Sequence, residues 1–153
     1  MIAAMRFLSL LTAAALTGAP AEAAPSRALH VFGWARATVP AQTGSAVYLH
    51  IHNAELTADR LLSVSTPAAA RASIHQTSTG GGVVRMRPAG PVPVPAGAAV
   101  EMKPGGLHVM LSGLKGPLQP GRLLPLTLRF ERAGVIQAKI PIRAQGSDAG
   151  HGH

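Results

Sequence analysis

Three features of the sequence predict an all-β fold, either a sandwich or a barrel. Strand-like runs recur roughly every ten residues, with glycine and proline between them. No stretch after residue 23 shows a sustained helical period with capping residues. Between Leu123 and Glu131, leucine and phenylalanine alternate with mostly polar residues, which is typical of an antiparallel strand with one face in water.

The individual strands are predicted from β-branched and aromatic residues bounded by turn formers. In order they are His30–Thr38, Ser45–Asn53, Asp59–Thr66, Ala69–Thr77, Val83–Arg87, Val100–Lys103, Leu107–Leu114, Leu123–Glu131 and Val135–Arg143. The glycine-rich turn at Thr79–Gly82 predicts that the fourth and fifth strands form a hairpin. The segment Pro88–Gly97 contains four prolines and is predicted to be an extended loop.

The chain of 153 residues is expected to form one domain behind a secretion signal. A basic start precedes the apolar run Phe7–Leu16, which is too short to span a membrane, and Ala21-Glu22-Ala23 has the small-x-small pattern of a cleavage site. We therefore predict a signal peptide over 1–23 and a folded domain over 24–145. Residues 146–153 are glycine-rich and polar, and we expect them to form a flexible tail.

The composition excludes several classes of protein. The sequence has no cysteine, which rules out a disulfide framework, thiol catalysis, zinc ribbons and blue-copper electron carriers. The net charge of +8 comes mostly from arginines spread along the chain without a basic run. They form either a solvated surface or a surface that attracts an acidic protein or an anionic membrane face. We expect no nucleic-acid partner and no stable membrane insertion after signal cleavage.

Four residues form a candidate metal site. The tight turn at Pro104–Gly106 precedes a strand in which His108 and Met110 share one face, predicted to point outward, opposite an apolar face. The hairpin predicted above would bring His75 and Met86 together across its two strands.

Two imidazoles and two thioethers are a soft, neutral ligand set that suits copper(I) better than zinc, magnesium or calcium. Each residue also has an ordinary explanation. A single Met on a strand commonly fills a core, and a single His is commonly a surface residue. A thioether on the face opposite the core is what favours a metal site.

The spacing of these residues resembles a known pattern. The motif His-x10-Met-x21-His-x-Met behind a signal peptide is similar to that of the PCuAC family of periplasmic copper chaperones. The resemblance extends from Trp34 to Ile142 and includes Arg85-Met86-Arg87-Pro88 and Val100–Gly106. Many members of the family have a Met directly after the first His, where this chain has Gln76.

The resemblance implies a cupredoxin-like Greek-key sandwich in the periplasm with a surface copper(I) site formed by His75, Met86, His108 and Met110. It also implies a chaperone without enzymatic activity that delivers copper to a cytochrome c oxidase subunit or its assembly factor. From the residues alone, a basic sandwich that binds an anionic envelope component or partner protein is the alternative. A copper enzyme is disfavoured, because two thioethers work against copper(II).

Four further histidines fall into two groups. His50 and His52 share one strand face. They form either a weak two-ligand site for copper(II) or zinc, or part of a solvent-exposed surface. His151 and His153 lie in the tail, which is either merely solubilising or, as in some members of the family it resembles, a secondary copper(II) site.

Overall fold

The structure, a computed structural model, describes residues 28–146, and these contain ten β-strands. The strands are β1 (Leu29–Arg36), β2 (Gly44–Asn53), β3 (Asp59–Ser65), β4 (Ala69–Gly80), β5 (Val83–Pro88), β6 (Val92–Val94), β7 (Ala99–Glu101), β8 (Leu107–Leu114), β9 (Leu123–Phe130) and β10 (Gly134–Arg143). The prediction of an all-β fold is confirmed. The predicted signal peptide and most of the predicted tail lie outside the described residues.

The strands form two sheets, which are joined through β10. The first has the order β5-β4-β8-β2-β1, and the second has the order β10-β9-β3-β6. A short parallel pairing of β1 with the end of β10 joins them. Because β4, β8 and β2 are neighbours in space but distant in the chain, the connections cross between the sheets in the manner of a Greek key.

One apolar core lies between the two sheets. Each sheet contributes alternate residues, as the period of a strand requires. On β9 the predicted alternation is confirmed, since Leu124, Leu126, Leu128 and Phe130 are buried while Leu123 is exposed. On β8, Val109 and Leu111 are fully buried in the same core. The core therefore fixes which face of β8 is left for other chemistry.

Two buried polar side chains, Asp59 and Asn53, bind backbone groups near the ends of β3 and β6. The Asp59 carboxylate accepts hydrogen bonds from the backbone N–H groups of Arg60, Arg132 and Ala133, at 2.7–2.9 Å. The Asn53 side-chain amide donates to the carbonyls of Thr57 and Val94. These bonds satisfy groups that would otherwise be costly to bury, and they tie the strand ends together.

The prediction of an extended loop over Pro88–Gly97 is wrong in part, because Val92–Val94 forms the short strand β6. Val92 and Val94 are buried against the core, and β6 pairs with β3. Proline at position 93 is tolerated because β6 lies at the edge of its sheet, where a missing N–H breaks no ladder. The four prolines correctly predicted an extended backbone. The short strand was not predicted, although Val92 and Val94 alternate with Pro93 as a strand with one buried face requires.

Truncation on β9 tests the position of the core. We expect Leu126→Ala to lower the free energy of unfolding by about 2–5 kcal/mol, because Leu126 is fully buried and its loss leaves a cavity. Leu123→Ala on the same strand is the matched control, with Leu123 58% exposed and an expected change below about 0.5 kcal/mol. Urea unfolding measures both variants, and equal losses would contradict the alternation.

Candidate functional site

The four predicted ligands lie on the same face of the first sheet. His75 on β4 is the direct cross-strand partner of His108 on β8. Met110 follows two residues after His108, and Met86 on β5 pairs with Thr77, two residues after His75. Since directly opposed residues and residues two apart share a face, the register places all four side chains on the side away from the core.

The turn before β8 positions the His108 ring. The Gly106 N–H donates to the Lys103 carbonyl, and Gly105 adopts a positive φ of 79°, which glycine accommodates without strain. The Gly106 carbonyl accepts one hydrogen bond from the Thr77 N–H at 3.1 Å and another from His108 Nδ1 at 3.0 Å. A carbonyl can only accept, so Nδ1 carries the proton and a neutral ring keeps its lone pair on Nε2.

His75 lies beside His108, with ring centroids 6.2 Å apart and ring planes inclined by 40°. A hydrogen bond of 3.0 Å joins its Nε2 to the Ser73 hydroxyl. Its Nδ1 is buried and has no hydrogen-bond partner in the structure. Buried polar nitrogens are nearly always paired, so an unpaired one calls for a functional explanation.

The two methionines and His108 line an open cleft of about 270 Å³. Met86 lies on the edge strand β5 and is 48% exposed, whereas Met110 is half-buried. His75 is behind this cleft, as the cross-strand neighbour of His108. The site therefore has one exposed thioether, that of Met86, on the edge strand, and three side chains on central strands.

The wall of the cleft toward β2 and β1 is aromatic and basic. The Tyr48 ring centroid lies 6.4 Å from that of His108 and 4.6 Å from that of Trp34. Arg36 Nη2 donates to the Tyr48 hydroxyl at 3.2 Å, and its guanidinium lies 5.8 Å from the centre of the same ring. The site is thus flanked by positive charge and by rings that exclude water from one side.

The prediction that His108 points outward is wrong as a statement about exposure. His108 is on the face opposite Val109, as predicted, but it is only 4% exposed. The face is not wet at this point, because Tyr48 and His75 contact the ring and the Gly106 carbonyl binds it. Alternation predicted the side of the strand and could not reveal what covers that side.

Three groups that position the site are not evident from the ligand motif. Ser73 bonds His75, the Gly106 carbonyl bonds His108, and Tyr48 packs beside His108. The polar residues Ser73, His75 and Thr77 alternate with the buried Ile74, which was a usable signal for Ser73. The contribution of Tyr48 depends on the pairing of β2 with β8, which the sequence pattern does not specify.

The remaining predicted histidines lie elsewhere. His50 and His52 share the outer face of β2, each half-buried, as direct partners of Phe32 and His30 on β1. His151 and His153 lie outside the described residues. Within residues 28–146, no three His, Asp or Glu side chains are grouped closely enough to hold a metal. No helix in this range is long and apolar enough to cross a membrane.

Comparison with solved structures places the fold in a defined class. The apo PCuAC domain from PmoF1 is 31% identical, with a TM-score of 0.66, covering 76% of this chain and 94% of that domain. The copper(I) form of DR1885 from Deinococcus radiodurans is 25% identical, with a TM-score of 0.62 and coverage of 80% and 85%. The copper-bound PCuAC domain from PmoF2, at 24% identity and a TM-score of 0.65 over 76% and 93%, shows the same fold. The chain is a cupredoxin-like domain of the PCuAC type, as its motif predicted.

The family follows from the sequence comparison. Residues 31–142 match the family described as "Putative lipoprotein LpqE-like", and the chain belongs to that family. A relative from Leifsonia xyli subsp. xyli, "Putative lipoprotein Lxx21020", is 33% identical over 84 residues, which is 54% of this chain and 51% of the relative. The chain thus spans about half the length of the curated relative it matches.

Proposed function

We propose that this protein is an exported copper chaperone that holds copper(I) on His75, Met86, His108 and Met110. The observation that carries the proposal is the shared face of these four side chains, set by the registers of β4 with β5 and β8. Copper(I) is the metal that two imidazoles and two thioethers suit best. The copper(I) form of DR1885, a domain of the same type, supports this choice.

The hydrogen bonds of the two imidazoles fit a metal-binding role. His108 donates from Nδ1 to a backbone carbonyl, which leaves Nε2 as the ligand atom. For His75, donation from Nε2 to the Ser73 hydroxyl leaves the unpaired, buried Nδ1 as the ligand atom. A metal-ligating histidine typically donates its other N–H in this way, which fixes the ring and raises its basicity.

The difference in exposure between the ligands suits a metal that must be released. His75, His108 and Met110 are held on paired strands, whereas Met86 lies on the edge strand and is half-exposed. A thioether binds copper(I) without the charge of a thiolate, and an acceptor can displace Met86 first. Ligand exchange then moves the ion without changing its oxidation state, so the protein has no catalytic residue.

We propose export by a signal peptide over 1–23 and a periplasmic location. A secondary copper(II) site at His151 and His153 stays a prediction.

Removing sulfur without changing volume tests the ligand set. We expect Met86→Leu and Met110→Leu each to weaken copper(I) binding by about tenfold or more, since each loses a ligand while Met-to-Leu changes are usually well tolerated in packing. Met102→Leu is the matched control, because Met102 is buried in the core and away from the cleft. Competition with a copper(I) chelator measures all three.

Wild-type affinity in both cleft variants would refute the site. If these variants bind normally and the protein shows salt-sensitive adhesion to anionic vesicles, the alternative of a basic binding module is favoured.

The acceptor is expected to be acidic at its docking surface. Arg85 and Arg87 are exposed and adjoin Met86 along β5, on the opposite face of that edge strand, and Arg36 lines the cleft. Charges around an exposed site mainly accelerate encounter with a partner of opposite sign. The resemblance that the motif carries makes a cytochrome c oxidase subunit or its assembly factor the proposed acceptor.

Loss of the protein in its host tests delivery. Under copper limitation, we expect deletion to lower cytochrome c oxidase activity several-fold, and expression of the wild type or added copper to restore it. Arg85→Glu/Arg87→Glu should restore less activity while binding copper(I) normally, because encounter slows when the charge is reversed. Unchanged oxidase activity after deletion would exclude this acceptor and leave copper(I) binding to be judged by the titrations above.

A further inference from the structure

The outer face of β1 and β2 carries a second cluster of imidazoles, distinct from the cleft. His30 on β1 is the direct partner of His52 on β2, and their ring centroids lie 6.2 Å apart with planes inclined by only 21°. His30 is exposed and His52 is half-buried, so water and ions reach the pair. Directly opposed side chains on antiparallel strands have Cβ atoms about 5 Å apart, which lets two rings converge on one ion.

In the part of the chain that the structure describes, no protein group binds the nitrogens of these rings. Within residues 28–146, no hydrogen bond or ion pair engages the nitrogens of His30 or His52, whose contact is with each other. The His75 and His108 rings differ, since each has one nitrogen bonded to a protein oxygen. The ring nitrogens of this opposed, accessible pair are thus available to an external ligand.

The donor chemistry identifies the class of ion. Two imidazoles without a thioether suit divalent first-row ions, and affinity for such a site rises to a maximum at copper(II). We propose that His30 and His52 form a two-imidazole site for copper(II), with water completing the coordination. This site is independent of the proposed copper(I) function, since it uses other residues and another oxidation state.

The two sites are well separated along the sheet. His52 is four residues from Tyr48, the residue that contacts His108, which corresponds to about 13 Å along a strand. Between them lies the row of Phe32 and His50, whose rings stack at 4.5 Å. His50 is occupied by this stacking and is therefore the matched control on the same strand face.

Paramagnetic broadening by copper(II) in the full chain tests the proposal with residue resolution. We expect copper(II) to broaden the amide signals around His30 and His52. His30→Ala and His52→Ala should each abolish this broadening and weaken copper(II) binding at this site by about tenfold or more. Removing a residue that only supports a metal ligand already costs about tenfold in affinity, and loss of a ligand itself should cost at least as much. His50→Ala should keep the broadening, and both pair variants should bind copper(I) as the wild type does.

The opposite results are equally clear. Unchanged signals in β1 and β2 while others broaden, or broadening that persists in His52→Ala, would overturn the site. Equal loss in His50→Ala would refute the assignment to the pair. Loss of copper(I) binding in the Met86→Leu and Met110→Leu variants bears only on the cleft, so failure of one site is distinguishable from failure of the other.

Discussion

The antiparallel register between β4 and β8 is the constraint on which the candidate site depends. It sets His75 directly opposite His108 and Ser73 directly opposite Met110, so one pairing supplies three of the proposed ligands and one supporting hydroxyl. A shift of one residue would turn each of these side chains into the core and bring Ile74 out. The core prevents this shift, because Val109 and Leu111 are fully buried on the other face.

The site is built from two kinds of support. Central strands and the turn at Gly105 and Gly106 fix the imidazoles, each through one hydrogen bond to an oxygen. The edge strand supplies Met86, which is held by one neighbouring strand only. This division gives a proposed chaperone both properties it needs, namely a preformed set of ligands and one ligand that an acceptor displaces easily.

Positive charge and aromatic rings surround the site on the side of β1 and β2. The guanidinium of Arg143 lies 5.9 Å from the centre of the Trp34 ring, and that of Arg36 lies over Tyr48. Positive charge next to the cleft favours the approach of an acidic partner.

The sequence was informative where period and spacing decide the structure. Alternation predicted the faces of β8 and β9, and the glycine turn predicted the β4–β5 hairpin. The burial of His108 was not predictable, because it depends on Tyr48 from a strand about sixty residues earlier in the chain and on a hydrogen bond to a turn carbonyl. The strand β6 was not predicted, because four prolines in ten residues indicate a loop and only two alternating valines indicate a strand. The opposed pair of His30 and His52 was not predictable either, because it depends on the register of β1 with β2.

X-ray absorption at the copper edge of the copper(I)-loaded full chain tests the proposed ligand set most directly. We expect a copper(I) edge and a first shell of two sulfur and two nitrogen scatterers, with sulfur scattering reduced in the Met110→Leu variant. A first shell of nitrogen and oxygen alone would contradict copper(I) binding at His75, Met86, His108 and Met110.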